Sequence, residues 1–166
     1  DTQRCYQGNY YAIFPELSLS GDLGSGISNQ MVLLLNSLGM EKTDTDNDNL
    51  TITPFMQTSD SGYAVTENDQ TQGQYILGAV STNAISADSS DSDSEDEDDE
   101  SDATDTDTKT ARLTVLASAS MISSDITDQL TTLDNLTLFV NSVTENFDNV
   151  NNVAIEAKSL STETNT

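Results

Sequence analysis

The chain has 166 residues, 29 acidic against 5 basic, and a formal net charge of −24. That length fits one domain with a core of its own, while the charge repels phosphates and disfavours nucleic acid and anionic lipid surfaces as partners. With no histidine and one cysteine, Ser-His-Asp and Cys-His catalysis, His-ligated metals and four-thiolate zinc or iron–sulfur sites are excluded.

About 12 of the acids fall between Asp88 and Asp107, so the rest of the chain is only moderately acidic. The cations Arg4, Lys42, Lys109, Arg112 and Lys158 form no patch. Cys5 has no partner cysteine in the chain, and no compartment follows from it. No apolar run approaches the ~18 residues of a membrane helix. The start at Asp1, without a leader pattern, is expected to be a cut inside a longer chain.

In chain order, Asn9–Phe14 is aromatic and β-branched and ends at Pro15, which predicts a buried strand. Ser18–Ser28, rich in Ser and Gly, predicts a loop. Gln30–Leu38 holds Met31, Val32, Leu33, Leu34, Leu35 and Leu38, a pattern open to a short helix or a buried strand, ended by Gly39. After the polar loop Glu41–Asn49, Leu50–Met56 alternates cleanly as a strand, with Pro54 pushing it towards an edge or a bulge. Thr58–Tyr63 is turn chemistry, with Gly62 there for a positive φ. Polar Thr66–Gly73 precedes a very hydrophobic strand candidate, Gln74–Ser81.

Asp88–Asp107 is a low-complexity acidic tract that buries nothing and is expected to be disordered at low salt. It joins Tyr75–Ser81 to Leu113–Ala117 as an overgrown hairpin loop. Lengthening a loop costs only about 0.6 kcal/mol per doubling, so the tract is an insertion within one domain spanning residues 1–166.

Ala111–Ala117 alternates and then turns apolar, as a strand entering a core does. The small residues Ser118–Ser120 suit a tight turn. Leu133, Leu136, Phe139, Val140 and Val143 then recur at helical spacing, with Thr131 or Thr132 as N-cap. A strand feeding a helix that packs back on the sheet is half of a βαβ unit. The expected fold class is therefore α/β: an open, mostly parallel sheet with flanking helices and Ala111–Ala117 near its middle. Asn152–Ala157 is expected as a closing strand, before a polar tail.

Asp44-Thr-Asp-Asn-Asp48 spaces its carboxylates like the first half of an EF-hand loop. Asn49 stands where the loop needs Gly, and Phe55 where it needs a bidentate Glu, so no metal ligand is assigned. Divalent cations would gather at the acidic tract only weakly, as diffuse screening. Gly21–Gly26 lacks the spacing and the lysine of a phosphate cradle, so no cofactor is expected. Ligands of open α/β sheets sit at strand ends. That rule makes Thr58, Ser59 and Asp60, with Ser118 and Ser120, the candidate ligand or partner contacts. No catalytic residue is assigned.

Four segments together carry a resemblance. They are Leu50–Asp60, Gly73–Ser81, Arg112-Leu-Thr-Val-Leu-Ala-Ser-Ala-Ser120, and Asp134-Asn-Leu-Thr-Leu-Phe-Val-Asn-Ser-Val143. Their order and character resemble the GldG-like family, extracytoplasmic auxiliary components of an uncharacterised ABC-type transport system related to gliding-motility proteins. The family's Gly-Asp and Ser-Asp pairs correspond here to Ala117-Ser118 and Ala119-Ser120. The resemblance implies a flavodoxin- or glutamine-amidotransferase-like α/β domain without catalytic residues. It implies attachment to the extracytoplasmic side of the cell membrane through segments outside this chain. The implied role is binding of a partner subunit of the permease/ATPase complex, an envelope component or a solute. The alternative expectation is a calcium-associated cell-surface interaction or adhesion domain.

Overall fold

A computed structural model describes residues 4–85 and 109–147. Nine strands and two short helices follow in order: β1 (Cys5–Tyr6), β2 (Asn9–Ile13), β3 (Glu16–Leu17), β4 (Leu34–Leu35), β5 (Leu50–Gln57), β6 (Tyr63–Val65), β7 (Gln70–Gln72), β8 (Ile76–Ile85), β9 (Lys109–Leu116), α1 (Ser124–Thr127) and α2 (Asn135–Thr144). Single 3-10 turns lie at Gly21–Gly24 and Ala119–Ile122.

The strands form three sheets, ordered β1-β2-β4, β3-β5-β8-β9 and β6-β7, and every pairing between them is antiparallel. This overturns the expected α/β class with its mostly parallel sheet. The reason lies in the connections. Parallel neighbours need a crossover of a dozen or more residues, usually a helix, whereas β5 reaches β8 through the small β6-β7 ribbon. The β8–β9 pair closes across the acidic insertion as the long hairpin read from the sequence, in register from Gly78↔Leu116 to Ile85↔Lys109. Among the described residues, no strand after α2 turns β9 and α2 into a βαβ unit. The expected closing strand Asn152–Ala157 and the tract Asp88–Asp107 lie outside the described residues.

The position of β9 is a second correction. It stands at the end of the four-stranded sheet, not its middle. The inner strands are β5 and β8, and Leu77, Ala79 and Val80 of β8 are buried. Gly78 belongs here because a Cβ would stand 2.8 Å from the Phe55 ring. Pro54 is matched by a break in register between Pro54 and Met56, the bulge that a missing N–H favours.

The core joins Leu23, Val32, Leu34, Phe55, Met56, Leu77, Val80, Met121 and Leu138. Gln30–Leu38 forms no helix. Val32, Leu33 and Leu34 are buried in a nearly irregular stretch of which only Leu34–Leu35 pairs, with β2. β2 itself is a strand but not a buried one: Tyr10 and Tyr11 are exposed and only Ala12 is inside.

α2 brings the third correction. The stripe Leu133, Leu136, Phe139, Val140, Val143 was expected to pack on the sheet. The buried side instead carries Asn135, Leu138, Asn141 and Ser142. Leu133 and Phe139 are half-buried, while Leu136, Val140 and Val143 face solvent. The helix starts at Asn135, several residues after Thr131 and Thr132, and the residue before it, Asp134, occupies the cap position.

Candidate functional site

α2 has two faces with different chemistry. Behind its inner face runs the stretch 19–33, several of whose backbone groups are drawn inside without strand partners. Buried N–H and C=O groups must be satisfied. Asp134 accepts from the backbone N–H groups of Asn29 (2.9 Å), Ser28 (3.3 Å) and Met31 (3.4 Å), and its own N–H donates to Met31 O. That engagement explains why its carboxylate does not cap α2. Asn135, 1% exposed, accepts from Leu33 N–H at 2.9 Å and donates to Leu33 O at 2.8 Å and Met121 O at 3.3 Å. One turn and a half later, the Asn141 amide donates to Leu23 O and Ser25 O. The carboxamides stand in for a missing strand, and the apolar residues beside them are buried Leu138 and half-buried Phe139.

The outer face is the reverse. Leu136, Val140, Val143 and Phe147 are 55%, 42%, 44% and 62% exposed, at spacings of four, three and four. Phe147 follows the helix in a turn closed by its N–H on Thr144 O. Asn135–Thr144 contains no charged residue, in a chain of net charge −24. The far end is pinned to β9 by the Arg112–Glu145 ion pair and by Thr114 donating to Asn146 Oδ1 at 3.0 Å.

The sequence-predicted contacts lie elsewhere. Thr58–Asp60 follows the end of β5 and Ser118–Ser120 the end of β9. Because β5 and β9 both run antiparallel to β8, both turns lie beyond the same end of the sheet. Their hydroxyls are largely engaged within the fold. Ser118 Oγ donates to Leu35 O and meets Ser120 Oγ at 2.7 Å, while Ser120 Oγ accepts from Leu35 N–H at 2.8 Å. The two serines thus fasten β4 to the turn after β9. Thr58 Oγ1 accepts from Tyr75 N–H and donates to Gly73 O, and Ser59 Oγ meets Ser61 Oγ at 3.1 Å. Gly62 is needed for space and not for a positive φ: a Cβ there would lie 2.7 Å from Thr58 Oγ1. Asp60 is exposed and offers its backbone carbonyl to Gln72.

At the Asp44–Asp48 loop, Lys42, Asp44, Thr45, Asn47 and Asp48 line an open depression floored by Leu50 and Ile52. Among the described residues, no three His, Cys, Asp or Glu side chains stand close enough to hold a metal ion together. Nor is any described helix long and apolar enough to cross a membrane.

The outer face of α2 was missed because its residues were assigned to the core. The available signal was the polar set Asp134, Asn135, Asn141 and Ser142, which shares one side of the helix, opposite Leu136, Val140 and Val143. Compared with family models, curated proteins and solved structures, the chain matches none.

Proposed function

We propose that this chain is a non-catalytic interaction domain that presents the outer face of α2 to a partner protein. The observation that carries the reading is the row Leu136, Val140, Val143 and Phe147, exposed at helical spacing on a helix free of charge. Interface centres are depleted of charged residues and rich in apolar anchors, and helix-in-groove recognition uses anchors at this periodicity. The net charge of −24 discourages association of the chain with itself.

The narrower form of the proposal names the partner as a membrane subunit of an ABC-type transport system, met on the extracytoplasmic side. It rests on the segment resemblance alone, and the α/β scaffold implied by that resemblance is not the one observed. A photo-crosslinking side chain placed at position 140 in the source cells tests both forms. The expected product joins the chain to a multi-span permease and is absent when the probe stands at exposed Thr53. Crosslinks to other proteins would retain the interaction face and reject the transport role. Equal labelling from both positions would reject the face itself.

A further inference from the structure

The tripeptide Asn-x-Ser/Thr, the acceptor pattern for N-linked glycans, occurs twice in this chain, as Asn49-Leu50-Thr51 and Asn135-Leu136-Thr137. The fold treats the two in opposite ways.

Asn49 is exposed in the turn that leads into β5, closed by Leu50 N–H on Asn47 O at 3.1 Å. Its backbone is held on both sides: its N–H donates to Asn47 Oδ1 at 3.0 Å, and its carbonyl accepts from Ala84 N–H at 3.1 Å. No hydrogen bond to another described residue engages its carboxamide or the Thr51 hydroxyl, and Thr51 is exposed too. Asn49 closes the turn and Thr51 is the second residue of β5, so the nitrogen to be modified and the hydroxyl required by the pattern are both open to solvent at the rim of the sheet. This rim is the end of the sheet opposite the Thr58 and Ser118 turns, since Leu50 pairs with Asn83. It is also remote in sequence from α2. A sugar here would extend into solvent without touching the core.

Asn135 is the counter-example inside the same molecule. Its carboxamide makes three hydrogen bonds to buried backbone, and a sugar on its nitrogen would remove a donor and occupy the space of Leu33 and Met121. Thr137 is half-buried against the loop at Gly26.

We propose that Asn49 is an N-glycan acceptor of the folded protein and that burial closes Asn135 to the same chemistry. The inference depends on the extracytoplasmic part of the functional reading, because the donor class, a lipid-pyrophosphate-linked oligosaccharide, is used there. In the transfer, Asn49 Nδ2 forms a bond to the anomeric carbon of the first sugar. The bond from that carbon to the phosphate oxygen breaks, the lipid pyrophosphate leaves, and the amide gives up one proton.

The test uses the purified full-length chain, a single-subunit oligosaccharyltransferase and a lipid-pyrophosphate-linked glycan, with sites mapped by mass spectrometry. In the folded chain, transfer to Asn49 is expected to exceed transfer to Asn135 at least tenfold; in urea-unfolded chain or in short peptides, the two should differ by less than threefold. Asn49→Gln and Thr51→Val should each remove the single-glycan mass increment from the folded chain, while Thr137→Val leaves it in place. Equal modification of both sites in the folded chain, or a bare Asn49 in folded chain whose isolated peptide is modified, would overturn the proposal. No partner protein enters the assay, so its failure is separate from failure of the α2 interaction face.

Discussion

The two sides of α2 invert the usual division of labour in a surface helix. An amphipathic helix ordinarily turns its apolar stripe to the core and its polar residues to water. Here the inner side is built on Asn135, Asn141 and Ser142 with Leu138 and half-buried Phe139, and the outer side on Leu136, Val140 and Val143. The inner side has no freedom to be otherwise, because the loop it covers brings Leu23, Ser25 and Leu33 backbone groups inside and only polar side chains can satisfy them. The outer side has no such constraint from the fold. The lesson is that polarity on a helix follows what it lies against, and an apolar row left outside needs an explanation beyond the domain.

The comparison breaks most sharply at Asn135. Asn135→Ala would leave Leu33 N–H and two carbonyls without partners, at roughly 1–3 kcal/mol per group. We expect a loss of about 3–5 kcal/mol in denaturant unfolding, as large as the 2–5 kcal/mol typical of Leu138→Ala. If Asn135→Ala costs under about 1 kcal/mol, the inner face is not holding the loop. Ser118→Ala comes next, at about 1–2 kcal/mol, because it strips Leu35 O of its hydroxyl donor. Thermal melts of the single Ser118 and Ser120 variants and their double mutant should show strong non-additivity if the two hydroxyls act as one fastening.

On the outer face the expectation reverses. Val140→Asp should change stability by no more than about 0.5 kcal/mol, as surface substitutions do, while weakening partner binding at least tenfold in a titration. A variant that unfolds instead would mean that the row belongs to the core. The smallest effect concerns neither face. Raising salt from about 0.1 to 1 M shortens the screening length from about 10 to 3 Å, and with a net charge of −24 the melting temperature should rise by a few degrees. A flat or falling melting temperature would show that the acidic residues do not strain the fold.

Much of the chain was legible as strands. The alternation of Leu50–Met56, the apolar run before Ser81 and the pattern from Ala111 onward all became strands, and Pro54 marked a bulge. The candidate contacts were legible only as turns. Thr58 and Ser118 were read as open to ligands, yet their hydroxyls complete the backbone of Tyr75 and Leu35. A hydroxyl at a strand end looks the same in sequence whether its partner is a ligand or a distant carbonyl.

By itself the sequence determined that Leu50–Met56, the run before Ser81 and the stretch from Ala111 are extended, and which chemistries a chain without histidine cannot perform. Periodicity and composition are local properties, so one strand at a time suffices to read them. The direction in which strands pair, the position of β9 at the sheet's end and the side of α2 that faces inward were decided only by the tertiary structure. Each depends on residues distant in the chain, as Gly78 and Leu116 or Leu33 and Asn135 are, and on the need of buried backbone groups for partners that no local pattern reveals.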